Sequence, residues 1–458
     1  MPTQSFDVSL PQGTLRGVDD DGVTAFRGIP YAASPVGELR FRPPGLHPGW
    51  HGVRDAATPG PSVPQLESRL QNVMGPSPVD WNEDGCLNLN VWAPAGALTD
   101  ARPRPVLVWI HGGGWSSGSG GWDWYDGAQL AARGDIVVVT VNYRLAALGY
   151  LWLPDIGAGN LGNQDQGAAL RWVRDNVAAF GGDPTDITVG GQSAGAHSAV
   201  SLALDPATRP AVKKVIAQSG PWVVTGQHPR SAATAADEYL ALLGITRDDG
   251  LLSALQDVPV DDLLAAYHAQ AQHPVRAADP TPAMYPVLGG TGLPRTWIDG
   301  LDRGGMAGIP LLIGRTEHEM SAFVPGLHAP EDTDDATRAV FDDGIVRMAE
   351  ALAAQGNPAH VYRFARRSSS TEALGATHCA ELPFTFDNLA AYASTPMTGP
   401  VDDADKRLAD EFSTMIATFV GTGFGDESGW PAWQPPHGRH VQLFGGHPAD
   451  SVALQARG

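Results

Sequence analysis

The chain is 458 residues long, with a formal net charge of −20 and a hydrophobic fraction of 43%. This acidic balance argues against nucleic acids and anionic membrane surfaces as partners, and it mildly favours neutral or cationic small molecules. The amino terminus has neither the basic segment nor the apolar core of a signal peptide, and no apolar run approaches a membrane-spanning length, so we expect a cytoplasmic protein without membrane contact.

Predicted strands and helices alternate along the chain. Apolar or β-branched runs predict strands at residues 106–110, 136–141, 187–189, 309–314 and 361–364. A helix is predicted after Asp165, because large apolar residues recur at helical spacing from Leu170 to Phe180, before two glycines. This alternation predicts an α/β fold with a large, mostly parallel twisted central sheet flanked by helices. No low-complexity linker divides the chain, so we expect one domain over residues 1–458.

A glycine-rich turn follows the first of these strands. His111 and the glycines at 112–114 come directly after residues 106–110. Glycines in such a turn let backbone N–H groups point at a ligand, and this placement after an early strand is typical of an oxyanion hole. The sequence therefore predicts amide donors for a developing negative charge at this turn.

A second motif, G-x-S-x-G, places Ser193 between Gly191 and Gly195. It follows the strand at 187–189 and opens a run of small, helix-compatible residues. Strand, sharp turn and helix together are the context of a nucleophile elbow, which holds a serine hydroxyl exposed above the edge of a sheet. With 55 glycines in the chain, one such match could arise by chance, but two motifs in the expected order reinforce each other.

A nucleophilic serine needs a base and a carboxylate that orients the base. When a nucleophile elbow carries the serine, these two residues come later in the chain, in the order serine, acid, histidine. The strand at 309–314 leads into a segment that contains Glu317 and Glu319. His378 lies in a predicted loop after the strand at 361–364. Residue types and order alone leave either glutamate open as the acid.

With these motifs in place, the chain resembles the type B carboxylesterases, the branch of the α/β-hydrolase fold that also contains the cholinesterases. The resemblance runs nearly end to end, and it departs at Gln192, where relatives commonly have glutamate. Beyond the two glycine motifs, it is carried by residues 26–32, 40–44, 87–94, 141–144, 163–166, 180–184 and 218–220.

The resemblance implies a role for each candidate catalytic residue. Ser193 would be the nucleophile, His378 the general base and Glu319 the acid that orients it, with Glu317 as the fallback. The oxyanion donors would be three backbone amides, those of Gly113, Gly114 and Ala194.

The implied reaction is hydrolysis of small or aromatic carboxylic esters through an acyl-enzyme intermediate. A carbamate or amide hydrolase of the same fold is the first alternative, and a non-catalytic binding protein like the adhesion relatives of cholinesterases is the second. We expect a small-molecule ester as the partner, and a monomer or small homo-oligomer. No metal or cofactor is expected, because the string around His318 lacks the second histidine of the metalloprotease motif.

The surroundings of the site are also predicted. Trp115 and Trp222 follow family-like segments and could line a substrate pocket, with core packing as the other interpretation. Helical cap insertions are expected at about 223–280 and 328–358, which are alanine-rich and not needed to hold the catalytic residues. His197, one helical turn past the nucleophile, is predicted to be packed or capping rather than a second base. The resemblance also implies that Cys86 forms no disulfide, since Val63 stands where secreted relatives have its partner.

Overall fold

The computed structural model describes residues 5–446, except for positions 21, 249 and 325 and residues 273–280, 425–429 and 434–437. Within this part of the chain, a sheet of 12 strands runs through the molecule. The strands are β1 (Ser5–Leu10), β2 (Gly13–Asp20), β3 (Val23–Pro30), β4 (Val53–Asp55), β5 (Asn88–Ala93), β6 (Arg104–Ile110), β7 (Val137–Val141), β8 (Gly182–Gln192), β9 (Lys214–Gln218), β10 (Leu311–Thr316), β11 (Ala359–Phe364) and β12 (Val441–Phe444).

The strand order is β1-β2-β3-β5-β7-β6-β8-β9-β10-β11-β12, with β4 paired to β2. The pairings from β1 through β3 and β5 to β7 are antiparallel, and every pairing from β7 onward to β12 is parallel. The prediction of a large, mostly parallel sheet is therefore confirmed.

Helices cover both faces of the sheet. Along β6, Val108 and Ile110 join one apolar cluster, while Leu107 and Trp109 join the other, as the two-residue period of a strand requires. The helices of the described chain are α1 (Gln71–Met74), α2 (Ala128–Gly134), α3 (Ala146–Tyr150), α4 (Leu161–Asn176), α5 (Ala194–Leu204), α6 (Pro229–Leu243), α7 (Leu251–Asp257), α8 (Val260–Ala271), α9 (Trp297–Asp302), α10 (Asp334–Thr337), α11 (Asp343–Ala354), α12 (Leu382–Thr385) and α13 (Asp403–Thr422).

Helix α4 begins before the point that the sequence predicted. Asp165 lies inside the helix, where its carboxylate forms a buried ion pair with Arg144, whose Nη2 is 2.7 Å from Oδ1. The predicted apolar stripe is buried, and the chain leaves the helix at Gly181, whose φ is 77°. Only the start of the helix was wrong, because Asp165 pairs with an arginine instead of marking the boundary.

The two predicted cap segments are helical but differ in placement. The first contains α6, α7 and α8, and its residues 273–280 lie outside the described residues. The second segment has two parts with different surroundings. Phe341 contacts the ring of His378, whereas α11 packs against β11 and contributes Met348 and Leu352 to the core. Parallel strands need a crossover connection, and α11 lies in the one between β10 and β11, while a capping role for this segment stays a prediction.

Candidate active site

Ser193 occupies a strained turn between β8 and α5. Its φ is 57° and its ψ is −123°, a conformation that costs a non-glycine residue free energy and recurs at functional sites. The turn also packs closely on β6, since a Cβ placed on Gly195 would lie 2.0 Å from the carbonyl oxygen of Ile110. The backbone N–H of Ser193 donates to the carbonyl of Gln218 on β9, at 2.8 Å. The serine is thus fixed by two neighbouring strands and is half-buried.

The predicted oxyanion donors face no acceptor among the residues that the structure describes. Among the residues that the structure describes, the amides of Gly113, Gly114 and Ala194 donate no hydrogen bond, so they stay available to a ligand. Ala194 is the first residue of α5, where helix N–H groups lack intrahelical partners. The turn itself is held from outside, because Gln65 accepts from the N–H of Gly118 at 2.7 Å and donates to its carbonyl at 2.9 Å.

Ser193, His378 and Glu319 lie in one chain of hydrogen bonds. The Oγ of Ser193 is 2.9 Å from Nε2 of His378. The other ring nitrogen, Nδ1, contacts Oε2 of Glu319, whose Oε1 accepts from the backbone N–H of Thr316 at 2.9 Å. This arrangement lets the ring take a proton from the serine while the carboxylate stabilises the charged ring.

Glu317 lies elsewhere. Its carboxylate is 3.5 Å from the guanidinium of Arg363 and its side chain is 30% exposed, whereas Glu319 is fully buried. The residue between them, His318, joins this segment to the one that carries His378: its N–H donates to the carbonyl of Ala376 at 2.8 Å, and its Nδ1 accepts from the N–H of Ala376 at 3.1 Å. These two hydrogen bonds hold the segment of Glu319 next to the segment of His378.

Opposing effects act on the pKa of His378. Burial alone lowers the pKa of the ring, but Cys379 and Glu319 beside it outweigh burial and raise the pKa well above its ordinary value. Burial raises the pKa of the Cys379 thiol, whereas the neighbouring His378 lowers it. The Nε2 of Gln192 is 3.3 Å from Nε2 of His378, so a neutral amide adjoins the ring.

Sequence reasoning missed a second buried carboxyl group behind the site. Glu381 is fully buried, and its Oε1 accepts from the hydroxyl of Ser219 at 2.5 Å. Burial, together with the charge of Glu319, raises the pKa of Glu381 to about 7. The sequence shows only that Glu381 lies three residues after His378 and next to an apolar segment. Nothing in it indicates that Ser219 is its partner.

We predict that Glu381 makes stability depend on pH. Its pKa of about 7 lies above the ordinary 4.5, so its proton stabilises the folded state, fully below pH 4.5, and this stabilisation is lost as pH rises through 7. Between pH 5 and pH 8, the unfolding free energy of the wild type should therefore fall by roughly 3 kcal/mol more than that of Glu381→Gln. Urea denaturation of both proteins at the two pH values measures this difference, and parallel pH profiles would contradict the prediction.

Trp115 and Trp222 pack on either side of His197. Their ring centroids are 5.5 Å and 6.3 Å from that of the histidine, and both tryptophans are 2% exposed. Burial lowers the pKa of His197 to about 4, and its Nε2 is 3.0 Å from the carbonyl of Val224, which fits the predicted packing role. Both tryptophans therefore pack as core residues. That they also line a substrate pocket stays a prediction.

Two phenylalanines border His378, and sequence reasoning missed them too. The centroids of Phe323 and Phe341 are 5.2 Å and 5.8 Å from that of His378. Phe323 is half-buried and is followed by the exposed Val324, so apolar surface continues outward from the histidine.

A half-buried serine above the carboxyl ends of parallel strands, hydrogen-bonded to a histidine and backed by a glutamate, defines the serine hydrolases of the α/β-hydrolase fold. Comparisons with known proteins agree. A model of the carboxylesterase family matches residues 4–342 and 333–449. The chain therefore belongs to the carboxylesterase family, and it is a carboxylic ester hydrolase of type B.

The similarity to individual relatives extends over nearly the whole chain. The para-nitrobenzyl esterase of Bacillus subtilis is 33% identical over 93% of this chain and 92% of that protein. A probable N-octanoylanthranilate hydrolase of Rhodococcus erythropolis is 36% identical, over 93% of this chain and 95% of that protein. The solved structure of a thermophilic PNB esterase superposes with a TM-score of 0.84 at 32% identity, covering 96% of this chain and 95% of that one.

Two smaller expectations can also be compared with the structure. Cys86 and Cys379 are both buried and form no disulfide in this structure, as the absence predicted for Cys86 requires. Within the described residues, no helix combines the length and apolarity that crossing a bilayer would require.

Proposed function

We propose that Ser193, His378 and Glu319 are the catalytic triad of this esterase. The observation that carries the proposal is the hydrogen-bond chain from the serine hydroxyl, 2.9 Å from His378, to the buried Glu319. The unengaged amides of Gly113, Gly114 and Ala194 would bind the oxyanion.

In this mechanism, Ser193 Oγ attacks the ester carbonyl while Nε2 of His378 takes the hydroxyl proton. The tetrahedral oxyanion is stabilised by the three amides, and His378 then gives its proton to the departing alcohol. Water, activated by the same nitrogen, attacks the acyl-enzyme and releases the acid. Glu319 orients the ring and stabilises its charged form throughout.

Small or aromatic carboxylic esters are the substrate class we propose. Phe323, which contacts the ring of His378, and the exposed Val324 next to it in the chain provide apolar surface against which an aromatic or short aliphatic group can pack. A relative named para-nitrobenzyl esterase supports an aromatic ester.

Two buried, unpaired cysteines support a reducing compartment such as the cytoplasm.

Hydrolysis of amides or carbamates is a second candidate, because one similar protein is named for an N-octanoyl substrate. The test is a series of p-nitrophenyl esters from acetate to decanoate, together with the matched p-nitroanilides. We expect turnover of the esters, with an optimum at short chains, and rates on the anilides several decades lower. Comparable rates on both would favour the second candidate, and no turnover of any ester would overturn the proposal.

The two oxyanion glycines should differ in their tolerance of alanine. A Cβ on Gly113, with φ at 106°, would lie 2.0 Å from the carbonyl oxygen of Ser117, whereas on Gly114, with φ at 61°, the nearest atom is Nη2 at the end of the Arg69 side chain, 3.2 Å away. We expect Gly113→Ala to lower kcat by about 10²- to 10³-fold through displacement of the donors, and Gly114→Ala by about tenfold. Steady-state kinetics measures this, with thermal melts as the control for folding, and equal losses would contradict the prediction.

A further inference from the structure

The proposed acid and base lie on segments that follow the neighbouring parallel strands β10 and β11. Glu319 comes just after β10, and its carboxylate accepts from the N–H of Thr316 at the end of that strand. His378 lies far beyond the end of β11. The pairing of the two strands ends with a hydrogen bond from the N–H of Glu317 to the carbonyl of Phe364, at 2.8 Å. Past this point, β11 does not fix where His378 lies relative to Glu319.

His318 pairs with the segment that carries the base. Its backbone N–H donates to the carbonyl of Ala376 at 2.8 Å, and its ring accepts from the N–H of Ala376 at Nδ1, at 3.1 Å. The residue is 2% exposed, and a Cβ placed on Gly375 would lie 2.6 Å from Nδ1. Both backbone polar groups of Ala376 are thus bound by the residue that immediately precedes Glu319.

These hydrogen bonds fix the protonation state of the His318 ring. Nδ1 can accept from the N–H of Ala376 only without a proton, so the ring is neutral and carries its proton on Nε2. Burial and neighbouring positive charges outweigh a nearby carboxylate and lower the pKa of His318 to about 4. The charged neighbours of the ring are Arg367, Glu331, Arg315 and Arg363. The bond to Ala376 is therefore kept at neutral pH.

Ser321 adds contacts between the same two segments. Its Oγ is 2.7 Å from the carbonyl oxygens of His318 and Leu374, and 2.8 Å from Oγ1 of Thr377. These contacts hold the backbone on either side of Ala376. The hydrogen bonds to Ala376 itself come from His318.

We propose that His318 is a positioning residue, whose ring, through Ala376, holds His378 at the distance from Glu319 that proton transfer requires. This inference rests on the proposed function. It assigns the ring an effect that acts only through the contact between Glu319 and His378, and no contact with the substrate. A misplacement of about 1 Å can cost about 10²-fold in rate, so the expected effect falls on kcat and not on KM.

The first test is a series of three substitutions at position 318, assayed with p-nitrophenyl butyrate. Leucine and glutamine should each lower kcat by about 10²-fold and change KM by less than about threefold. Asparagine should keep kcat within about tenfold of the wild type, because its amide oxygen is bonded to Cγ, as Nδ1 is in histidine, and can accept from Ala376. Glutamine carries its oxygen one bond further out. If the ring only filled space, asparagine, the smallest of the three, would be the most damaging.

A double-mutant cycle separates positioning from a general loss of structure. In the Glu319→Gln background, His318→Leu should lower kcat by less than about threefold more, because the carboxylate through which the ring acts is already gone. A loss of the same size in both backgrounds would overturn the inference. So would full activity of His318→Leu in the wild-type background.

His360→Leu is the matched control, because it also removes a buried imidazole. His360 lies on β11 and is 1% exposed, and neither ring nitrogen has a hydrogen-bond partner in the described part of the chain. This variant should keep the kcat of the wild type. Thermal melts of every variant show whether the protein is folded at the assay temperature.

Gly375→Ala keeps the inference testable if His318→Leu does not fold. The added Cβ would meet Nδ1 of His318 at 2.6 Å and displace the ring from Ala376, although every hydrogen-bonding group is still present. The same fall of about 10²-fold in kcat is expected, again only when Glu319 is present, and an unchanged kcat would overturn the inference. Failure of the proposed function would differ, because Glu319→Gln would then be as active as the wild type.

Discussion

Alanine at position 193 is expected to lower kcat for p-nitrophenyl butyrate by about 10⁶-fold, to a rate supported by binding and the oxyanion donors alone. The reason is the covalent mechanism: without Oγ, there is no atom 2.9 Å from Nε2 of His378 that can attack the carbonyl. Labelling by a fluorophosphonate probe should vanish in the same variant. Steady-state kinetics and probe labelling, each on wild type and variant from parallel preparations, check the two effects.

Ser201→Ala is the matched control, because Ser201 lies on the same helix, α5, and its hydroxyl donates to the carbonyl of His197 at 2.8 Å. Losing such a bond costs about 1 kcal/mol of stability and no catalytic group. The control should keep full labelling. Appreciable ester turnover or labelling in Ser193→Ala would mean that another residue is the nucleophile.

Glutamine at position 319 is expected to lower kcat by about 10⁴-fold with little change in KM. The carboxylate contacts Nδ1 of His378, and an amide in its place can donate to that nitrogen and hold the ring in the wrong tautomer. The buried charge that stabilises the imidazolium is lost as well. Kinetics over a range of pH measures the effect, and the loss should persist at every pH where the wild type is active.

Glu317→Gln tests the competing assignment in the same chain. Glu317 is partly exposed and pairs with Arg363 at 3.5 Å, and such partly exposed pairs are worth about 0–1 kcal/mol. We expect its kcat to stay within about threefold of the wild type. A larger loss in Glu317→Gln than in Glu319→Gln would reverse the assignment of the acid.

Local motifs explain why the positions of Ser193 and the glycine-rich turn at 112–114 could be predicted from the sequence. Ser193 and Gly113 are positioned by the strand immediately before each of them, and the glycine requirement is a short-range steric effect. The sheet was predictable for a similar reason, since long β-branched runs indicate buried parallel strands. These predictions needed no knowledge of which distant segments meet.

Pairings between distant segments account for what the sequence could not show. Ser219 and Glu381, which share a hydrogen bond, are 162 positions apart, and Gln65 and Gly118, which share another, are 53 positions apart. The surroundings of α11 could not be predicted for a related reason: an alanine-rich amphipathic helix has the same pattern whether it packs on a sheet or over a site. Which of Glu317 and Glu319 lies beside His378 depends on the hydrogen bonds between His318 and Ala376, and the spacing of apolar residues in the sequence does not indicate such a pairing.

The three proposed catalytic side chains follow β8, β10 and β11, strands that hydrogen-bond side by side through β9. Helices α6 to α8, inserted between β9 and β10, supply none of them. Changes in that insertion can therefore reshape what reaches Ser193 without moving the reacting groups relative to one another. For directed evolution, this makes the insertion the region where a mutant library retains the most active clones while substrate preference varies, whereas libraries in the strands sample mainly inactive protein.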